Sequence, residues 1–492
     1  MTGLPLSAKL LHHAQHAPDA PALVDGAAIV SHAELRERAM GCAAWLAAEG
    51  CRAGETVGVT VAGEYANAVV SVALLHLGVP QVSLVSTDPP ALRAELAQRL
   101  AVRRIIADVP GAGLHDIPVS RLAPKAIEAF GAEACSPLSG DPDAPALYAA
   151  SSGTTGRPKL LALSQQLLAC RSAFYGVMQD FAPGERIVVP MPQESYPGKT
   201  MLLYALYHGM SVVLDDGASA GSAIVESALR TGASILQLTV LQARGLVTDS
   251  GGAPRLPRTT RVFIGAARMP EGLPHAFETR VGGRLFNRYG TSEVGAFSNT
   301  YPVGEDGVPD SVGRIVPGAE VEVIDADGRI LPPGHVGELR LRTPWMVPRY
   351  HDDERATALH FRAGWFYPRD VGLVTPDGIL RFLGRVDDMM SLNGINIFPA
   401  EIERVLEEHP AVKHAAAFPI PSAVHGDIPA AAVEPIDGAD LDRRELERYA
   451  RDRLGARAPR RIVVLAALPR NANGKILKRE LAASLGRLRE AP

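Results

Sequence analysis

Cysteine is scarce in this chain: Cys42, Cys51, Cys135 and Cys170 are the only four in 492 residues, and no two have a paired spacing. This excludes a disulfide scaffold or a cysteine-based zinc site and reads as reduced thiols. Charge of one sign is missing too. A formal net charge of -4 gives no electrostatic reason to expect nucleic acid or an anionic membrane as partner. Long hydrophobic runs are absent. The most apolar stretch, around 66–79, is interrupted by Ser71 and His76 and is too short to span a bilayer. Residues 1–15 have no basic start followed by a long apolar core, so no signal peptide is expected and the cytoplasm is the expected location. No period of 20–50 residues repeats, which argues against a solenoid. His12 and His16 stand four apart with no carboxylate or cysteine partner in sequence, which reads as an exposed helix face rather than a metal site.

What remains is the composition of a soluble globular protein, 47% hydrophobic and 21% charged. Its length suggests two or three domains. Up to about residue 383, strand-like apolar runs (57–61, 187–189, 211–214, 261–264) alternate with helical patterns (66–77, 223–231). That alternation predicts α/β layers with largely parallel sheets. Near residue 312 the pattern changes. Val321 and Val323 alternate with Glu320 and Glu322, and turns follow at Asp327-Gly328, Pro333-Gly334 and Asp377-Gly378. This predicts antiparallel hairpins in a β-rich subdomain over about 312–383. Residues 384–388 form a candidate hinge. Residues 389–492 predict a small mobile α+β domain, with Pro399 opening a helix whose apolar face is Ile402, Val405 and Leu406.

Five segments carry chemistry. Ser151-Ser152-Gly153-Thr154-Thr155-Gly156-Arg157-Pro158-Lys159 follows an apolar run, 146–150, that reads as a buried strand. Its glycines let the backbone approach a ligand, its hydroxyls and N–H groups suit phosphate oxygens, and Lys159 adds charge. The mononucleotide P-loop spacing is absent from this stretch. The second segment is Tyr289-Gly290-Thr291-Ser292-Glu293. The Tyr289 ring offers a face for adenine, Ser292 a hydroxyl for phosphate, and Glu293 a hard oxygen for Mg2+. Upstream, Gly265-Ala266-Ala267 ends a predicted strand, where α/β proteins place ligand loops. The third segment is 364–370, ending in Pro368-Arg369-Asp370. The fourth runs from Gly384-Arg385-Val386-Asp387-Asp388 to Gly394 and Glu403. The fifth is 469–481, with Lys475. Each alone has a bland reading, such as a surface loop, a linker or an exposed lysine.

Together and in this order, the five resemble the signature of the adenylate-forming superfamily of acyl- and aryl-CoA synthetases, adenylation domains and beetle luciferases. The resemblance covers nearly the whole chain. It implies that Gly265, Ala266 and Ala267 lie along the adenine and the acyl pocket. Asp370 would grip the ribose hydroxyls, Arg385 would approach the ribose, and Asp387 would be the pivot of the hinge. Gly394 would let a thiol arm pass, and Lys475 would neutralise charge developing at the α-phosphate. The acyl pocket would include Gln193, Glu194, Tyr196, Gly265 and Gly290. Departures stand beside these matches: Arg369 replaces the usual glycine before Asp370, Gln193 stands where a histidine or aromatic is common, and Gln165 follows Ser164 where a histidine often does. Arg369 leaves two destinations open, a phosphate or solvent.

The reaction implied has two halves. A small carboxylic acid attacks the α-phosphate of Mg·ATP to give acyl-AMP and pyrophosphate; a thiol then attacks the acyl carbon and releases AMP. The thiol is coenzyme A or the phosphopantetheine of an acyl carrier protein. The sequence favours a plain carboxylic acid, and its departures suggest a specialised one, as in secondary metabolism. No carrier domain is expected after residue 492. Two alternatives stay open: a stand-alone adenylation enzyme loading an acid or amino acid onto a carrier, and a non-catalytic nucleotide-binding protein.

Overall fold

The structure, a computed structural model, describes residues 5–114, 116–123, 125–131, 141–151, 158–214, 221–249, 254–265, 269–270, 272–300, 311–392, 395–422, 426–436, 438–439, 441–470 and 476–487. Its elements follow the apolar runs. The strands Val57–Thr60, Arg186–Val188, Ser211–Leu214 and Leu256–Gly265 sit where continuous apolar segments are flanked by turn residues. The first and third are buried along their whole length, as strands covered on both faces must be. The helices Glu64–Leu77 and Ser222–Thr231 end at Gly78 and Gly232, both in the left-handed conformation that caps a helix.

Among the described residues, two sheets build the larger part. One has six strands: Val119–Arg121, Arg104–Ala107, Val57–Thr60, Gln81–Ser83 and Pro145–Ser151 run parallel, and Lys159–Ser164 closes the edge as an antiparallel hairpin. The other has fifteen strands and changes character midway. Its first part is parallel: Gly282–Thr291, Leu256–Gly265, Ile235–Thr239, Arg186–Val188, Ser211–Leu214 and Pro21–Asp25. The strand Gly282–Thr291 pairs in parallel through Asn287 and then, from Arg288 onward, antiparallel with Gly295–Asn299. From there the sheet continues through Ser311–Ile315, Ile379–Arg385, Asp370–Val374 and Gly337–Arg342, all antiparallel. The β-rich part is therefore the continuation of the α/β sheet, and one strand carries the junction.

The residues after 388 form a separate sheet. Met390–Leu392, Ile395–Ile397, Val412–Ser422 and Gly426–Pro435 are antiparallel, and Arg461–Val464 joins in parallel. The helix Pro399–Glu407 buries Ile402, Val405 and Leu406 in its own core with Ala417, Val433 and Leu446. The fold is thus α/β, with a large N-terminal part of two layered sheets and a smaller α+β part. Between them, the strand Ile379–Arg385 runs into a single 3-10 turn at Val386–Asp388.

Candidate active site

The first motif is held at its base. Ser151 pairs with Lys159 across the hairpin, so the loop between them leaves and re-enters the sheet at one point. Ser152, Gly153, Thr154, Thr155 and Gly156 lie outside the described residues. Arg99 fixes the loop's return: its Nη1 donates to the Pro158 carbonyl at 2.7 Å, and its Nε and Nη2 form a fork on Asp352 at 3.0 and 2.8 Å. Lys159 points inward. Its Nζ lies 2.7 Å from His360 Nε2 and 5.1 Å from the centre of the Tyr350 ring. His360 Nδ1 is 2.8 Å from the Tyr367 carbonyl, which can only accept. The proton therefore sits on Nδ1, and Nε2 accepts from the lysine ammonium. Burial, then the lysine's charge, push the His360 pKa down, consistent with a neutral ring. Burial also lowers the Lys159 pKa, and the charge of Glu293 opposes that shift.

The second motif sits where the strand Gly282–Thr291 leaves the parallel sheet. Gly290 belongs there because a Cβ would come within 2.5 Å of the Gly295 carbonyl oxygen. Tyr289 packs edge-on against Phe297, ring centres 4.7 Å apart, and its hydroxyl donates to Asp370 Oδ2 in a short hydrogen bond. Thr291 Oγ1 accepts from Val294 N–H at 3.2 Å and tightens the turn. Glu293 is 8% exposed. Its Oε1 accepts from the Tyr350 hydroxyl at 2.9 Å. Gly265 ends its strand beside Arg288, and Ala266 and Ala267 lie outside the described residues.

Asp370 begins its strand at 6% exposure, with Arg385 Nε 3.9 Å away on the neighbouring strand. Arg385 Nη2 also donates to the Pro368 carbonyl at 3.1 Å. Burial pushes the Asp370 pKa up to about 6, against the lowering effects of the Tyr289 hydroxyl and Arg385. Thus Lys159, Tyr289, Glu293, Asp370 and Arg385, scattered over more than 200 positions, fall into two contact groups: Lys159 and Glu293 meet through Tyr350, and Tyr289 and Arg385 meet on Asp370. The two groups act on each other through charge, Glu293 on Asp370 and Arg385 on Lys159.

Arg369 takes neither destination left open by the sequence. Its guanidinium reaches Asp387 Oδ1 at 3.2 Å and Glu338 Oε1 at 3.4 Å. Its backbone has φ +66°, the left-handed region glycine enters without strain. The glycine common at this point in the superfamily suits that conformation; here two ion pairs hold an arginine in it. Arg369→Ala keeps the strain and loses the pairs, whereas Arg369→Gly loses both. Arg369→Gly is therefore expected to be more stable than Arg369→Ala by about 1 kcal/mol, read from denaturant midpoints. Equal midpoints would remove the strain argument.

The remaining candidate residues fall in different places. Gln193 is 1% exposed; its N–H donates to the Glu64 carboxylate at 3.1 Å, and both of its side-chain amide atoms are buried without a partner. Glu194 turns toward Ser86, accepting from its N–H at 3.1 Å and its hydroxyl at 2.7 Å, and burial raises its pKa. The Tyr196 hydroxyl accepts from Arg171 at 2.8 Å. Asp387 lies in the 3-10 turn, shared between Arg369 and Arg385. Gly394 and Lys475 lie outside the described residues. Sequence reasoning missed Arg171, Tyr350 and His360. None belongs to a motif, and each acts through partners far along the chain: Ser292 for Arg171, Glu293 for Tyr350 and Lys159 for His360.

Comparison with known proteins agrees with this layout. The AMP-binding enzyme family matches residues 10–351, and the AMP-binding enzyme C-terminal domain matches residues 401–475. The sulfoacetate–CoA ligase of Cupriavidus necator is 32% identical over 381 residues, 75% of this chain and 74% of that one. Probable CoA ligase CCL9 of Humulus lupulus is 26% identical over 489 residues, 94% of this chain and 92% of that one. The structure of ATP-bound MatB from Rhodopseudomonas palustris superposes with TM-score 0.89 over 98% of this chain and 99% of that one, at 24% identity. With both family patterns in order along one chain, the protein belongs to the AMP-binding enzymes of the adenylate-forming superfamily.

Proposed function

We propose that the protein is an AMP-forming acid–thiol ligase that activates a carboxylic acid with ATP and transfers the acyl group to coenzyme A. The observation that carries this reading is the two contact groups, Lys159 with Glu293 and Asp370 with Tyr289 and Arg385, in a chain whose relatives include CoA ligases. A carboxylate does not acylate a thiol directly, because oxide and hydroxide are poor leaving groups. In the first half-reaction an oxygen of the acid bonds to the α-phosphorus, and the bond to pyrophosphate breaks. In the second the thiolate sulfur bonds to the acyl carbon, and AMP leaves with the C–O electrons.

In this reading each residue has a task. Asp370 accepts hydrogen bonds from the ribose hydroxyls while Tyr289 holds its second oxygen. Lys159 and the loop before it face the phosphates. Glu293 fits Mg2+, since its carboxylate is a hard oxygen donor and its Oε1 is oriented by Tyr350. The metal supplies charge neutralisation to the phosphates. Lys475 is assigned the charge developing at the α-phosphate, and Asp387 the pivot between half-reactions. The need for ATP and coenzyme A supports the cytoplasm as its location.

Two measurements test the reading. Protein, Mg·ATP, an acid panel and either coenzyme A or a holo-carrier protein are incubated and the products weighed. AMP and pyrophosphate are expected in step with an acyl-CoA thioester. Formation of ADP, or no pyrophosphate exchange with any acid, would overturn it; transfer to the carrier alone would replace coenzyme A with that partner. The second is pH-dependent. Folding raises the Asp370 pKa from 3.8 to about 6. The folded form therefore holds this proton more tightly, and the group's contribution to stability is greatest below the unfolded value and is lost as pH rises through 6. Nucleotide binding draws on the ionised form. Adenosine, which carries no group that titrates between pH 5 and 7, is thus expected to bind more tightly as pH rises through 6, and Asp370→Asn to bind it weakly with no inflection, by calorimetry. A flat wild-type profile would contradict the assignment.

A further inference from the structure

Arg288 precedes Tyr289 on the strand that carries the sheet's junction. Its guanidinium lies 5.3 Å from the centre of the Tyr175 ring and 5.9 Å from that of Phe263. Both Nε and Nη1 are buried, and neither has a hydrogen-bond partner. The groups acting on its charge are the phenols of Tyr175 and Tyr204; no carboxylate is among them. Arg171 shows how this fold satisfies a buried guanidinium: three backbone carbonyls and the Tyr196 hydroxyl accept from it. Ring faces alone do not replace those acceptors, because a desolvated cation needs hydrogen-bonded oxygens as well as a π surface.

The location says what could complete it. Arg288 lies just past the last parallel pair, Ile264 with Asn287, at the carboxyl ends of the strands, where α/β sheets bind their ligands. The neighbouring strand ends in Gly265. A Cβ there would come 3.0 Å from the Arg288 carbonyl oxygen and 3.9 Å from Arg288 Cβ, so the glycine lets the two strand ends approach closely at this point. Asp370, by contrast, already has Arg385, and Glu293 has Tyr350 with the charge of Lys159 nearby. Arg385 Nε also lacks a hydrogen bond, but it faces the Asp370 carboxylate at 3.9 Å, whereas the charge partners of Arg288 are phenols alone.

We propose that Arg288 binds a second anionic group on the acid substrate, so that the acid activated here carries a carboxylate or sulfonate besides the carboxylate that reacts. This rests on the acid-activating reading and names its substrate class. A planar guanidinium whose Nε and Nη1 have no hydrogen-bond partner suits the oxygens of such a group. An acid without that group would leave the guanidinium desolvated and unpaired, so the site rejects it.

The test is pyrophosphate exchange with matched acids: succinate against butanoate, phthalate against benzoate, and sulfoacetate against propanoate. The wild type is expected to favour the doubly anionic member of at least one pair by on the order of 100-fold or more in kcat/KM. The favoured pair also reports whether carboxylate or sulfonate is read. Arg288→Met is expected to bring that pair within about tenfold, and Arg288→Lys to retain part of the preference, with folding checked by the thermal transition. Preference for the singly anionic member of every pair would overturn the assignment while leaving acid activation standing. Equal loss on both members in Arg288→Met would also overturn it, since it would make Arg288 a structural residue. Exchange with no acid at all would overturn both readings. If the methionine variant does not fold, the wild-type panel and the lysine variant still decide.

Discussion

Arg171→Met is expected to destabilise the large N-terminal part by about 3–5 kcal/mol and to cut adenylate formation by on the order of 100-fold or more. The helix Gln165–Gln179, started by Ser164 capping the Leu167 N–H, carries Arg171 into the interior at 0% exposure. There its Nε donates to the Trp345 carbonyl at 2.9 Å and its Nη2 to the Glu293 carbonyl at 2.8 Å. Its Nη1 serves the Tyr196 hydroxyl at 2.8 Å and the Ser292 carbonyl at 3.1 Å. Methionine keeps the apolar stem and none of the donors. The Trp345 and Ser292 carbonyls would each lose the partner described here, and a buried acceptor left alone costs about 1–3 kcal/mol. The Glu293 carbonyl keeps the Val347 N–H at 2.9 Å, so that segment loosens without coming free. The activity loss follows because Ser292 and Glu293 are the residues so held. Tyr196→Phe is the control: it removes one acceptor and should cost about 1 kcal/mol. Denaturant unfolding and pyrophosphate exchange read the two effects. Full stability with lost exchange would move Arg171 into direct substrate contact, and full activity would remove it from the site's support.

Local pattern carried much of the fold. Val57–Thr60 and Ser211–Leu214 were legible because parallel strands covered on both faces are unbroken apolar runs. The hairpin of Glu320–Ile324 with Gly337–Arg342 was legible because its charged and apolar residues alternate around turn residues. Strand order was not, since pairing joins segments far apart in sequence. Nothing local says that Gly282–Thr291 changes from parallel to antiparallel partners at Arg288, or that the β-rich part extends the same sheet. The site divides the same way. Lys159, Tyr289, Glu293 and Asp370 stand in short recognisable segments. Arg171 and His360 are single residues on helices and Tyr350 lies between elements, all in segments of ordinary composition, and only the folded chain gives them partners. Arg369 was visible as a departure, but its direction depends on a positive φ that Pro368-Arg369-Asp370 does not announce. Arg288 was hidden by its position inside a motif: its neighbours drew the chemistry, and its own lack of partners appears only in three dimensions.

Glu293→Gln is expected to slow adenylate formation by on the order of 100- to 1000-fold while changing AMP affinity only a few-fold. The substitution keeps an oxygen for the Tyr350 hydroxyl, which now donates to Glu293 Oε1 at 2.9 Å, so the local packing survives. What disappears is a negative charge on a side chain only 8% exposed. Two consequences follow. A hard anionic oxygen for Mg2+ is lost, which should weaken the response of the rate to Mg2+ and raise the concentration needed for half-maximal exchange. The second consequence reaches Lys159. Burial pulls its pKa down, and Glu293 is the first of the charges that hold it up. Without that charge the lysine loses its proton at lower pH, so an alkaline limb of the rate profile set by Lys159 moves toward neutrality. Tyr350→Phe separates the effects: it keeps the charge and removes only the hydroxyl, and should cost about tenfold with the alkaline limb in place. Exchange at the wild-type rate in Glu293→Gln would exclude a metal role. A rate loss without any movement of the alkaline limb would mean that Glu293 and Lys159 act independently, and that the charge of the lysine is held by the phosphates alone.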